Sequence, residues 1–115
     1  GAMLVAACSS GGATAQTADE FAATIAEPGV VIIDVRTPEE YAAGHIEGAV
    51  NLPVELPGFD EAVAELDKDT HYAVYCRTGR RSAIAVGKMN DAGITKISEL
   101  SDGIVAWTGP LVVGN

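Results

Sequence analysis

Cys76 is followed by Arg77, Thr78, Gly79, Arg80, Arg81 and Ser82, placing three of the chain's seven basic residues within five positions of a thiol. The nucleophilic form of a thiol is its thiolate, which neighbouring guanidinium groups and helix-N-terminal amides both stabilise. Gly79 permits a sharp turn, so that the amides from Arg77 through Ser82 can point inward as an anion-binding nest around the sulfur. The side chain of Arg80 or Arg81 is then expected to hold an oxyanion substrate, or the leaving group, above it. A buried core cysteine is the plainer reading of any single cysteine. It does not account for three arginines and a glycine in the next five residues.

Such a loop needs a strand before it and a helix after it. The run Tyr72–Tyr75 supplies the strand and Ala83–Asn90 the helical pattern, an order that puts the thiol at the carboxyl edge of a parallel sheet. The other elements are consistent with this. Thr17 followed three residues later by Glu20 is a capping-box signature for a helix from Ala18 to Ala26 with Phe21 and Ile25 on its apolar face, and ordered structure is expected to begin there. Pro28-Gly29 ends it. Val30–Asp34 is an unbroken β-branched run of the kind buried in a parallel sheet. Thr37-Pro38-Glu39-Glu40 opens a short helix that stops near Gly44. Ala49–Leu52 reads as a strand, Phe59–Leu66 as a helix, Ile94–Leu100 as the last strand and Gly103–Trp107 as a short final helix. Alternating strands and helices imply an α/β fold, a mostly parallel sheet with helices on both faces. The loops after Asp34, Leu52, Tyr75 and Leu100 then meet at one edge and can build one pocket.

Composition narrows the partners. At 115 residues the chain is long enough for one domain and too short for two. Its net charge of −9 argues against general binding to nucleic acid or anionic membrane, which needs a broad basic face. A small anion is what the single cationic loop suits. Residues 1–13 read as an expression scar, Gly1–Met3, then the remnant of a signal peptide and a flexible tether, leaving 14–115 as the domain. Leu4–Cys8 followed by small polar residues is similar to the end of a bacterial lipoprotein signal. Cys8 is therefore the lipidation candidate, implying an extracytoplasmic protein that touches the membrane only through that anchor. Lipidation would leave Cys76 as the free thiol, with no structural disulfide.

Four motifs in order, Ile33–Arg36, Glu40–Ala49 with Asn51–Pro53, Tyr75–Ser82 and Asp102–Trp107, resemble the rhodanese (thiosulfate sulfurtransferase) family from about Thr14 to Trp107. The resemblance implies a five-stranded parallel sheet flanked by helices and a cysteine, here Cys76, that cycles through a persulfide. Thiosulfate would be the donor, with a thiol, cyanide or a protein sulfur acceptor receiving the sulfur. No metal or organic cofactor is implied. Related phosphatases and arsenate reductases on this fold carry a loop one residue longer. The four residues between Cys76 and Arg81 match the short, sulfur-handling form if Arg81 closes the loop. Those two enzyme types, and a sulfur-carrier or binding module without turnover, are the alternatives.

Residues 77–82 are thus the expected substrate cradle, with Arg81 inside the pocket and Arg77 and Arg80 at its rim. Arg36, at the end of the first clear strand, either borders the anion or pairs with Asp34 to fix the loops. His45 reads as a structural histidine, since a preformed thiolate needs no general base. His71 reads as exposed, Trp107 as an anchor for the last helix, and the acidic run Glu61–Asp69 as a solvated face.

Overall fold

Val31–Asp34 and Tyr72–Tyr75 lie side by side as parallel strands, with Ile33 opposite Val74 and Asp34 opposite Tyr75. The computed structural model describes residues 12–115. The proposed scar, the signal remnant and Cys8 lie outside the described residues. In chain order the elements are β1 (Thr14–Gln16), α1 (Ala18–Ile25), β2 (Val31–Asp34), α2 (Pro38–Ala43), β3 (His45–Ile46) and β4 (Val50–Asn51). There follow α3 (Phe59–Ala64), β5 (Tyr72–Tyr75), α4 (Arg80–Asp91), β6 (Ile97–Leu100), a 3₁₀ turn at Ile104–Ala106 and β7 (Leu111–Val112).

Five strands form one parallel sheet in the order β1-β6-β5-β2-β4, and β3 pairs antiparallel with β7 beside it. The chain builds outward in one direction from β2 and in the other from β5. The junction of those two strands is the switch point at whose carboxyl end α/β sheets open a crevice.

Strand periodicity divides the interior into two cores. Tyr72, Val74 and Cys76 face one way with Ile33, Val35 and Ile97, against Phe59 and Val63 of α3 and Ala85, Val86 and Met89 of α4. Ala73 and Tyr75 face the other way with Ile32 and Leu100, against Phe21 of α1 and the partly buried Trp107. All four residues of β5 are buried, so the strand that carries the thiol is the central one.

The helix starts follow local chemistry. Glu20 donates its backbone N–H to Thr17 Oγ1 at 3.2 Å and its carboxylate accepts the Thr17 N–H at 2.9 Å, closing the expected capping box. Thr37 and Glu40 repeat the arrangement at α2, with Pro38 in the first turn.

Three expectations are corrected. Order begins before Thr17: β1 is a three-residue edge strand without an apolar run, specified by its pairing with β6 rather than by its own residues. The helix after the thiol starts at Arg80, not Ala83, because Gly79 with φ 100° turns the chain directly into it. The final helix is only a 3₁₀ turn, Ile104–Ala106.

Phe21 is fully buried and meets Tyr75 and Trp107 edge-on at ring-centroid distances of 6.3 and 6.1 Å. Phe21→Ala is expected to cost about 3–5 kcal/mol in urea unfolding, the usual range for an aromatic truncated in a core. A loss below about 1 kcal/mol would show that this second core contributes little.

Candidate active site

Cys76 directly follows β5 at the switch point, and its side chain is 1% exposed. The Gly79 N–H donates to its Sγ at 3.0 Å. Helix α4 begins one residue later, and the first N–H groups of a helix have no carbonyl of their own turn to bond. The sulfur therefore lies beside a donor end of the backbone, where an N–H group already points at it.

Two glycines hold this loop against the one that follows β6. Gly79 and Gly103 both have positive φ, 100° and 76°. A Cβ on Gly79 would collide with the Ser101 carbonyl oxygen, and one on Gly103 with the backbone of Arg77 and Thr78. Backbone thus meets backbone. The Ile104 N–H donates to the Cys76 carbonyl at 2.9 Å and the Val105 N–H to that of Arg77 at 3.2 Å.

The expected cradle residues take separate positions. Arg77, Thr78 and Arg80 are exposed, while Ser82 is fully buried with its Oγ 3.6 Å from the sulfur. Arg81, expected to hold the anion, is instead bonded to Glu40 through two nitrogens at 2.7 and 3.0 Å, with Glu55 at 3.5 Å. The Glu40 bond is the main influence that raises the Arg81 pKa. Glu40 responds in the opposite sense, its carboxyl pushed down to about 2 chiefly by the Arg81 bond.

Arg36 makes the pairing that sequence left as one of two choices. It is 6% exposed, bonds both Asp34 oxygens, donates to the Gly44 carbonyl at 2.6 Å, and lies 5.7 Å over the Tyr75 ring. Burial opposes its charge, but the Asp34 bond and charge outweigh this and raise its pKa. Burial also pushes the Tyr75 hydroxyl well up, so it stays protonated where it accepts the Ile46 N–H. Arg36 nevertheless lines a cleft of about 330 Å³ with Glu40, Arg77, Ile104, Val105 and Leu111.

His45 is buried, stacked 3.6 Å from the Tyr41 ring and bonded through Nδ1 to the Tyr41 carbonyl. His71 is not exposed as expected: its Nε2 meets Ser98 Oγ at 2.8 Å, because β6 passes beside it. Trp107 packs on Phe21. In the sequence Glu40 reads as a first-turn acid of a short helix and as part of the Glu40–Ala49 motif, and Glu99 as part of a strand. The pairing of Glu40 with a residue 41 positions away has no local signal. Glu99 Oε2 is 2.7 Å from Ser82 Oγ. Its mark in the sequence is an acid two residues after Ile97 in a buried strand. Among the described residues no group of three His, Cys, Asp or Glu side chains is placed to hold a metal.

The family model for the rhodanese-like domain matches residues 17–110. The chain is a rhodanese-like domain. Over 78 residues it is 41% identical to a probable adenylyltransferase/sulfurtransferase MoeZ of Mycobacterium tuberculosis; the match covers 68% of this chain and 20% of that protein. The chain thus spans only about a fifth of that longer relative. It is 37% identical over 82 residues to the thiosulfate sulfurtransferase PspE of Escherichia coli, covering 71% of this chain and 78% of that one. A rhodanese-like domain protein of Staphylococcus aureus has the same fold with a TM-score of 0.77 at 29% identity, covering 89% of this chain and 99% of that one. The rhodanese-like sheet of five parallel strands is the architecture described above.

The depressed Glu40 carboxyl has a pH signature. A group whose folded pKa lies below its unfolded value stabilises the fold above the unfolded value, and this is lost as pH falls toward the folded one. Relative to Glu40→Gln, the parent domain is expected to be more stable by about 1–2 kcal/mol at neutral pH, allowing for solvent screening of a partly exposed pair. The difference should shrink between the ordinary glutamate value of 4.5 and about 2. Urea unfolding of both across that range checks it; a constant difference would assign the loss to helix capping instead.

Proposed function

We propose that this domain is a sulfurtransferase that carries sulfane sulfur as a persulfide on Cys76, with thiosulfate as a competent donor. The observation that carries the reading is the Gly79 N–H aimed at the Cys76 sulfur, at the head of α4 and at the switch point of the sheet. The sulfurtransferase names of its relatives support it.

The steps balance without a cofactor. The Cys76 thiolate attacks the outer sulfur of thiosulfate, an S–S bond forms to the cysteine, and the bond to the sulfonate sulfur breaks. Sulfite leaves with that electron pair. The anionic Cys76 persulfide is held by the same amide donor. Attack by cyanide or a thiolate on the outer sulfur then expels the Cys76 thiolate and regenerates the site, a double displacement through a covalent intermediate. Arg77 and Arg80 are exposed beside the loop and draw the dianion in against the acidic net charge. Arg81 can reach it by exchanging a Glu40 oxygen for one of the anion's.

The short loop is the feature that favours sulfur over larger tetrahedral anions: only Arg77, Thr78, Gly79 and Arg80 separate Cys76 from Arg81. A lipid on Cys8 would place this chemistry outside the cytoplasmic membrane. Incorporation of labelled palmitate by cells expressing the full precursor, lost in Cys8→Ser, tests that placement, and equal labelling of both would reject it.

For the reaction itself, the full chain carrying Cys8→Ser is incubated with thiosulfate and then cyanide while its intact mass is followed. A gain of about 32 Da that cyanide removes, and that Cys76→Ala never shows, is the expected result for a covalent sulfur carrier. If the mass stays constant while Cys76 remains reduced and alkylatable, thiosulfate is not the donor.

A further inference from the structure

The face of the sheet turned toward α3 and α4 is apolar along its strands, with Ile33, Val35, Val74 and Ile97 packed on Ala85, Val86 and Met89. Glu99 interrupts it. Residues two apart on a strand share a face, so Glu99 points the same way as Ile97, and it lies in register between Val74 of β5 and Ala15 of β1. Glu99 is half-buried, on a groove it shares with Ala83 and Val86, and one of its carboxylate oxygens has a partner inside the protein. Its partner is Ser82, fully buried in the first turn of α4 and the neighbour of the thiol.

The hydroxyl of Ser82 has one proton and three polar neighbours. Glu99 Oε2 is 2.7 Å away, the Gly79 carbonyl oxygen 3.1 Å and the Cys76 sulfur 3.6 Å. The charged acceptor at the shortest distance takes the proton. Ser82 then turns its lone pairs to the sulfur. A thiol can donate to those lone pairs; a thiolate finds no donor there.

We infer that Glu99 is a positioning residue that restrains ionisation of the Cys76 thiol by holding the Ser82 hydroxyl turned away from the sulfur. Glu99 thus opposes the Gly79 N–H, and the reactivity of the site is set between the two. The other charges around this group are Arg77, Arg80 and Arg81 of the loop and α4, with Glu40 and Glu55 on Arg81. Beyond them lie the Asp34–Arg36 pair at the end of β2, Asp102 after β6, and Asp91 of α4 on the groove that Glu99 also lines. Glu99 differs from these in reaching the sulfur through a hydroxyl that can reverse its direction.

The inference rests on Cys76 being the nucleophile and not on the identity of the sulfur donor. The test therefore measures alkylation of Cys76 by iodoacetamide, without thiosulfate, in the full chain carrying Cys8→Ser. Glu99→Gln removes the charged acceptor and offers Ser82 an amide N–H, which leaves the hydroxyl free to donate to the sulfur. Near pH 6 it is expected to speed alkylation about fivefold or more, and the ratio should fall to about one near pH 10, where thiols are ionised regardless. Glu99→Val suits the apolar face and should act in the same direction, so a folding defect in one variant leaves the other to decide. In a Ser82→Ala background, Glu99→Gln should change the rate by less than about twofold. Three results would each overturn the inference: no acceleration in a folded Glu99 variant, an acceleration that persists at alkaline pH and so reports access, or the same acceleration without Ser82. Loss of the persulfide mass gain with this pattern intact would reject the donor and leave the Glu99 role standing.

Discussion

Everything at this site depends on one close approach, the backbone of the loop after β5 lying directly on the backbone of the loop after β6. Gly79 and Gly103 allow it, since at either position a side chain would enter the opposing main chain. The contact is fastened by N–H groups of Ile104 and Val105 on the carbonyls of Cys76 and Arg77. With its carbonyls held from one side, the loop turns its own Gly79 N–H toward the sulfur. The donor is thereby fixed before any substrate arrives, which is the condition under which a hydrogen bond stabilises charge without reorganisation.

The charged residues are arranged around that constraint and mostly neutralise one another. Asp34 and Arg36 form a buried pair bonded further to the Gly44 carbonyl, locking the loop after β2 onto the end of α2. Arg81 and Glu40 tie α4 to α2 across the mouth, with Glu40 also closing the cap of α2. A single carboxylate thus serves helix capping, inter-helix attachment and control of a guanidinium. Arg77 and Arg80 of the loop are exposed, whereas the guanidinium groups of Arg36 and Arg81 are each held by a carboxylate.

Much of this could be read from local signals. The β-branched run of β2, the capping boxes at Thr17 and Thr37, and the strand-loop-helix order around Cys76 are each written in neighbouring residues, and each element formed, although α4 begins at Arg80 rather than Ala83. What escaped was specified by partners distant in sequence. Strand β1 has no apolar alternation and is held by β6; the β3–β7 pair joins two dipeptides more than sixty residues apart. The same holds at the site. Cys76 and its loop were visible as a contiguous motif, but the destination of the Arg81 side chain depends on Glu40, and the environment of Ser82 on Glu99. His71 was misjudged for that reason too, since its partner Ser98 lies on another strand. Side-chain pairings across the sheet edge follow from topology, which residue types alone do not encode.

The depth of Cys76 has a consequence for which sulfur a partner meets. Its Sγ is at the base of the mouth, almost wholly covered, on the strand at the centre of the sheet. A sulfur added to it stands one S–S bond, about 2.0 Å, further out. If the proposed persulfide forms, an incoming thiol would meet its outer atom first and the cysteine behind it. Attack on the inner atom, which would leave Cys76 in a mixed disulfide and release sulfide, would be disfavoured by the cover over Cys76. Burial of Cys76 would in this sense be a form of regioselectivity, achieved by placement and with no side chain assigned to it.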